Sequence, residues 1–491
     1  MVDVLLTHSY HLYYDRKQIR KMQPYPPLGT LYAAALLRDR GYSVTLFDSM
    51  LENPEENFSQ VLARTQPRIV AIYEDNFNFL SKMCLGRMRQ VAFSMIDAAA
   101  ASGATIVVNG SDASDHCEDY LERGAHYVLL GEAEWTLLEL VETLCKRSAE
   151  AGEISGLAYF NSAGGFIVRT ARRPVMRSLD LLPFPARDLA DISRYRTAWQ
   201  KAHAFFALNM VASRGCPYQC NWCAKPIYGN SFNVRSPECV AAEMLELRDR
   251  FGADYLWFAD DLFGIRKEWV QEFADQVEHK RAAVPFKMQS RVDLMQEETV
   301  RALARAGCVE VWMGVESGSQ KILDAMDKGT RVAQIVEARA RLQSAGIRAC
   351  YFLQFGYPGE TWTDIERTIE LVRRTRPDDI GVSVSYPLPG TVFYERVSRQ
   401  LGAKTHWDDS DDLSMMFKGT YTSELYHALH DALHAEVESW STRTPWKFSL
   451  RGAVAEPPTP MSVADLWARV RSLKETSRNA DATEIAVWTC S

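Results

Sequence analysis

Ser213-Arg214-Gly215-Cys216-Pro217-Tyr218-Gln219-Cys220-Asn221-Trp222-Cys223 follows directly on an apolar run, Ala207 to Ala212, whose length suits a strand better than a helix. Three thiols at spacings of four and three on one loop can wrap one face of a compact metal centre. A zinc ion would want a fourth ligand, and Cys239, sixteen residues beyond Cys223, is expected early in a helix. A cubane held by four protein thiolates would lack the same ligand. A 4Fe-4S cluster on three thiolates instead leaves one iron open to a small molecule.

Outward from this loop, strand and helix alternate. Further strands are expected near Tyr255 to Phe258, Phe286 to Ser290, Glu310 to Met313, Cys350 to Gln354 and Gly381 to Ser385. Helices fall between them at Cys239 to Arg250, Glu298 to Ala306 and Trp362 to Arg374. Six parallel strands fit a partial (β/α)6 barrel of the TIM type over residues 205–392, with its chemistry at the strand ends.

Residues 1–147 repeat the alternation, with strands at Asp3 to Thr7, Ser43 to Phe47, Arg68 to Tyr73, Thr105 to Val108 and Tyr127 to Leu130. The fold class is therefore α/β, with a doubly wound flavodoxin-like (Rossmann-like) domain ahead of the barrel and its ligand at the carboxyl ends of the strands. The loops there hold His8-Ser9-Tyr10-His11, Glu74 to Phe79, Asn109 to Ser114 and Gly131 to Glu134. Small and amide side chains of this kind let a bulky ligand approach the backbone, although ordinary turns use them too. Residues 148–204 are expected to be a linker with a hairpin turning at Ser162-Ala163-Gly164-Gly165 and a stiff Leu182-Pro183-Phe184-Pro185 segment. Residues 393–491 are mostly helical and polar. Residues 396–491, with His406, Trp407, His427, His430 and His434, are candidates to close over the barrel mouth, although His427, His430 and His434 as readily form just one helix face.

The 491 residues, 47% hydrophobic and 24% charged, suit a globular protein of about three domains. A net charge of -7 with no long Lys/Arg block argues against nucleic acid as a partner. No apolar stretch reaches the roughly 20 residues of a transmembrane segment. Met1-Val2-Asp3-Val4-Leu5-Leu6 is not a basic and then apolar leader, so a cytoplasmic, reducing setting is expected. There, ten cysteines are not a disulfide framework. Cys84, Cys117, Cys145, Cys239, Cys308, Cys350 and Cys490 are expected to be small apolar core residues.

The CxxxCxxC spacing, with Trp222 before the last Cys at the end of a first barrel strand, resembles the radical S-adenosylmethionine (SAM) superfamily. That resemblance implies a 4Fe-4S cluster on Cys216, Cys220 and Cys223. It also implies cleavage of SAM to a 5'-deoxyadenosyl radical. Strand-end segments fit in order: Phe258 to Phe263, Gln289-Ser290-Arg291, Gly314 to Ser319, Gly356 to Thr361 and Pro387 to Thr391. By the same resemblance Trp222, Asp260, Ser290, Arg291, Glu316, Ser317 and Gly356 bind SAM, with Arg291 meeting its carboxylate. Asp261 and Glu360 are as readily helix starts.

The N-terminal half is similar to the cobalamin-binding half of cobalamin-dependent radical SAM enzymes. This implies contacts to cobalamin from Pro27, Leu28, Gly29, Tyr73, Asn76, Asn109, Gly110, Ser111, Gly131 and Glu132. A D-x-H-x-x-G motif is absent, so cobalt is expected without a His lower ligand even though His8, His11 and His116 stand nearby. The implied function is methylation of an unactivated carbon of a small molecule or lipid, with flavodoxin or ferredoxin as electron donor. Oxidative cyclisation or rearrangement, and a non-catalytic cobalamin sensor, are the alternatives. Methylthiolation of tRNA fits the acidic balance poorly.

Overall fold

A computed structural model describes residues 2–78, 86–146, 150–161, 165–401, 413–440, 448 and 461–476. The first sheet contains β1 (Val4–Thr7), β2 (Val44–Phe47), β3 (Ile69–Tyr73), β4 (Thr105–Asn109), β5 (Tyr127–Leu129), β6 (Leu157–Asn161) and β7 (Phe166–Arg169). Its order is β2-β1-β3-β4-β5-β6-β7. The first five strands are parallel, as the flavodoxin-like expectation requires. Alternation along each strand supplies two faces. Val4, Leu6 and Ala71 pack under the helix Leu28–Asp39, while Leu5, Val70 and Ile72 meet the helices Pro54–Thr65 and Gly86–Ser102. Burying each such Leu contributes about 1.5–3 kcal/mol.

The hairpin corrects one expectation. Strands β6 and β7 do not sit in a linker; they extend the first sheet antiparallel to β5, with Leu129 opposite Leu157 and Val128 opposite Ala158. Leu157 and Ala158 are fully buried, so apolar pairing with β5 draws the hairpin into the domain. The turn residues 162–164 lie outside the described residues, as do His406, Trp407, Cys84 and Cys490.

The second sheet contains β8 (Ala207–Met210), β11 (Tyr255–Phe258), β12 (Phe286–Ser290), β13 (Cys308–Glu316), β14 (Arg348–Phe355) and β15 (Asp379–Val384). They run parallel in the order β15-β14-β13-β12-β11-β8, an open barrel whose ends, β8 and β15, do not pair. A short ladder of β9 (Ser213–Arg214) and β10 (Asn233–Val234), unforeseen in the sequence, pinches off the cysteine loop at its base. The helix Ser423–Trp440 packs along β15, and the helix Val463–Thr476 packs on that helix.

Of the five described cysteines outside the triplet, Cys117, Cys308 and Cys350 are buried as expected. Cys145 and Cys239 are only partly so. Cys239 stands in the first turn of the helix Pro237–Asp249, where Arg235 donates to its sulfur.

Candidate active site

The loop holding Cys216, Cys220 and Cys223 is fixed from several sides. Gly215 turns it at φ +82, and a Cβ there would lie 2.4 Å from the Ser231 carbonyl oxygen. Asp260 is buried with its carboxylate facing down into the strand-to-loop turn, accepting from the Ala212 and Ser213 N–H groups and the Ser213 hydroxyl. Asn221 ties the loop's far end down: its Nδ2 donates to the Ala325 carbonyl and to Asp327, and its Oδ1 accepts from Tyr357. Burial, and then the charges of the other two sulfurs, push the Cys223 thiol up to about 12; burial likewise raises Cys216. Thiols that repel one another's ionisation need a bound cation to be held as thiolates. Among the described residues no three His, Cys, Asp or Glu side chains converge on a single-ion site.

Two buried cations flank the triplet. The Arg291 guanidinium lies 4.0 Å from Cys220 Sγ and 3.7 Å from the centre of the Tyr218 ring, and it donates to the Lys328 carbonyl and to Asp293. Lys328 donates to Glu316 at 2.7 Å. Burial works against the Lys328 charge, but Glu316 and Cys220 outweigh it and raise the group above its ordinary value. Sequence reasoning missed Lys328, whose partner Glu316 sits twelve residues away at a strand end.

The expected SAM contacts divide. Arg291 and Glu316 are at the site but engaged with protein partners. Asp260 braces the loop, Ser290 donates to the Phe263 carbonyl, and Ser317 shares its hydroxyl with Thr368. These three bonds turn Asp260, Ser290 and Ser317 inward to the scaffold. Gly356 keeps space for Met415 and Tyr426, since a Cβ would meet the Met415 sulfur at 2.9 Å. Of the expected contacts, Trp222 keeps a buried Nε1 without a partner; outside that set so do Gln354 Oε1, Ser385 Oγ and Thr330 Oγ1. Gln354 follows Phe352 by two on β14, so it shares the lumen face. Atoms of this kind are what a bound polar group would satisfy.

The N-terminal loops interlock. Asn76 donates to Asn109, which donates to the carbonyls of Leu129 and Gly131. The Gly29 N–H donates to Asp75, and Thr30 donates to the Tyr73 carbonyl. Pro27 stands just ahead of the first turn of the helix Leu28–Asp39, and Leu28 is fully buried. Gly110 is closed over by Glu74, 2.8 Å from where its Cβ would stand, and the next residue, Ser111, keeps a buried hydroxyl without a partner. Glu132 is committed to Arg214, at 2.5 Å. His8 bonds Asp48 through Nε2 and Ser49 through Nδ1, and His11 Nδ1 meets the Ser49 carbonyl. Burial opposes charge on His8, yet Asp48 holds its pKa above the ordinary value. His116 reaches to 4.0 Å from Asp112.

A cavity of about 650 Å³ opens between the two sheets. Tyr10, Met50, Asp75 and Asn78 bound it at the carboxyl ends of β1, β2 and β3. Asn209, Trp257, Lys287, Gln289, Trp312 and Phe352 bound it from the lumen. Tyr25 OH and Asn209 Oδ1 face it without partners. The expected loops after β4 and β5 do not line it: Asn109 is spent on Asn76 and the Leu129 carbonyl, and Glu132 on Arg214. The loop after β2, not singled out in the sequence, does. Buried, unpaired polar atoms around a mixed apolar and polar space of this size suit an organic cofactor with a substrate beside it.

Residues 210–372 match the family model described as the Radical SAM superfamily. An uncharacterized methyltransferase of Pyrococcus horikoshii is 26% identical over 75% of this chain and 78% of its own length. The hopanoid C-3 methylase of Methylococcus capsulatus is 25% identical over 77% and 70%. The anaerobic magnesium-protoporphyrin IX monomethyl ester cyclase of Cereibacter sphaeroides is 26% identical over 77% of this chain but 61% of its own length. Among solved structures, the radical SAM methyltransferase TsrM of Kitasatospora setae, determined with cobalamin and a 4Fe-4S cluster, superposes with TM-score 0.65 at 18% identity, covering 82% of this chain and 76% of that one. The cobalamin-dependent radical SAM enzyme OxsB superposes with TM-score 0.72 at 18% identity, covering 97% and 71%.

Residues 210–372 carry a domain of the radical SAM superfamily. The chain as a whole, a Rossmann-like domain joined to a partial barrel, has the fold seen in OxsB.

Proposed function

We propose that this enzyme uses cobalamin and SAM to methylate an unactivated carbon of a small molecule or lipid. The observation that carries the reading is the continuity of one cavity from the carboxyl ends of β1–β3 to Gln289, two residues before the arginine beside Cys220. When bound, a 4Fe-4S cluster, SAM and cobalamin would supply a 5'-deoxyadenosyl radical to remove a hydrogen and a methyl group to replace it.

The chain's own part is to bind and position. Cys216, Cys220 and Cys223 would hold the cluster, with Arg291 and Lys328 offsetting its negative charge and drawing in the SAM carboxylate. Trp222, Gln354 and Ser385 offer SAM unpaired polar atoms, and Glu316 keeps Lys328 in place. Tyr10, Met50 and Asn78 would face cobalamin, with Pro27, Leu28, Gly29, Tyr73, Asn76, Asn109, Gly110, Ser111, Gly131 and Glu132 shaping the loops behind. His8 has both ring nitrogens engaged, which favours cobalt without a His lower ligand. The cobalamin-binding unit then runs from residue 1 through the hairpin to about Arg169, and the barrel spans 205–392. Among the described residues no helix is long and apolar enough to cross a membrane. A cytoplasmic enzyme reduced by flavodoxin or ferredoxin completes the reading.

Oxidative cyclisation is the second reading, favoured by the similarity to the cyclase of Cereibacter sphaeroides. Anaerobic turnover of the reconstituted enzyme with SAM, cobalamin, a reductant and cell extract separates the two. S-adenosylhomocysteine together with 5'-deoxyadenosine, and a product one methyl group heavier, is expected. 5'-Deoxyadenosine without S-adenosylhomocysteine would refute methyl transfer. Cys216→Ala, Cys220→Ala and Cys223→Ala combined should abolish both products and the cluster's iron.

A further inference from the structure

The lumen wall of the cavity holds a cation that the proposed chemistry leaves unused. Lys287 lies on β12 between Phe286 and Met288, whose side chains point outward into the core; by alternation its own side chain points into the lumen. Among the described residues it makes no hydrogen bond or ion pair. Its contact is the Trp257 ring, 5.6 Å from the ammonium. Of the neighbouring acids Glu310 is committed through both oxygens, while Asp379, which lines the same cavity, is held through one. Glu310 accepts from Trp312 Nε1 through one oxygen and from Arg348 through the other, and Asp379 accepts from the Ile380 N–H. Burial accordingly lowers the lysine below its ordinary value, against the attraction of Glu310. An ammonium held in a cavity wall without a counter-ion is costly unless an anion arrives with the ligand.

The walls beside it are flat. Trp312 and Phe352 stack at 4.9 Å and 30°, forming a ledge whose indole is oriented by its bond to Glu310. Gly381 allows the ledge to reach β15, because a Cβ there would press on Phe352 at 3.2 Å. Trp257 stands on the other side of Lys287 along the lumen.

We propose that Lys287 recognises an anionic substituent, a carboxylate in the simplest case, on a substrate whose flat apolar body lies between Trp257 and the Trp312–Phe352 ledge. This rests on the cavity being the substrate site of the proposed function. A charge-assisted bond from the cavity wall gives specificity, since a neutral analogue leaves the ammonium unpaired. The aromatic faces supply affinity with little regard to ring type.

Calorimetric titration of the anaerobically reconstituted, cobalamin-loaded enzyme with 2-naphthoate, 2-naphthamide and 2-naphthylmethylammonium tests this. The carboxylate is expected to bind at least about tenfold more tightly than the amide, with the ammonium weakest. Lys287→Met should erase that preference, Lys287→Arg should keep it, and Trp257→Leu should weaken carboxylate and amide alike. Equal binding of carboxylate and amide by the wild-type enzyme overturns the proposal without any variant. So does a preference that survives Lys287→Met, or a Lys287→Met protein that folds by circular dichroism but fails to hold cobalamin. The turnover assay uses none of these probes, so the two readings fail separately. Both nucleoside products without a carboxylate preference sink only the lysine's role, and a preference without S-adenosylhomocysteine sinks only methyl transfer.

Discussion

Arg214→Met should uncouple the cysteine loop from the N-terminal domain. Arg214 stands two residues before Cys216, is 2% exposed, and forms ion pairs with Glu132 at 2.5 Å and Glu134 at 2.8 Å across the domain boundary. The rings of Tyr32, Phe77 and Tyr228 surround its guanidinium at 5.3–5.7 Å. Methionine fills much of the same space but strands two buried carboxylates, and breaking a buried pair in this way costs about 3–5 kcal/mol. The loss should depend on pH. Burial already raises Glu132 above its usual value despite Arg214, and removal of the cation raises it further. A carboxylate raised in the folded state favours folding at low pH, and that contribution is lost as pH rises through its folded value. The deficit of Arg214→Met is therefore smallest near about pH 5 and largest by about pH 8. Urea unfolding of the full chain followed by circular dichroism at both values reads it. Adding Glu132→Gln and Glu134→Gln to Arg214→Met should restore most of the loss. A deficit under about 1 kcal/mol at pH 8, or one that grows on acidification, would refute the reasoning.

Three further outcomes follow from single residues. Burial pushes Glu360 up to about 8 even though the Gly356 N–H donates to it at 2.6 Å, so it is largely protonated at neutral pH. Its stabilising contribution is complete below about pH 4.5 and disappears as pH rises through 8; Glu360→Gln should therefore gain stability over the wild type across that window in thermal melts. Gly215→Ala should lose iron after reconstitution, because its Cβ would overlap the Ser231 carbonyl at 2.4 Å. Gly346→Ala, at φ +72 with nothing within 4 Å of its Cβ, should cost only the left-handed strain of about 1–2 kcal/mol and keep its iron.

Both sheets were legible in the sequence because parallel buried strands leave short β-branched runs between amphipathic helices. The observed bounds of β1–β5 fall within one residue of the expected ones. The hairpin's destination was not legible, since period-two alternation says that Leu157 is buried but not against which strand.

The cysteine triplet was legible in the sequence alone: residue type and spacing on one loop are local facts, and they survive any packing around them. Tertiary structure decided how the remaining site residues are used. Asp260 and Ser317 have the right chemistry at the right strand ends, yet their hydrogen bonds are taken by Ala212, Ser213 and Thr368. Gln354, Ser385 and Lys287 carry no motif and gain meaning because six strands curl around one space; Lys328 gains it because its loop returns to Glu316 at a strand end. Whether a polar atom is spent on the scaffold or left for a ligand depends on neighbours distant in sequence, and only the folded chain assigns those neighbours.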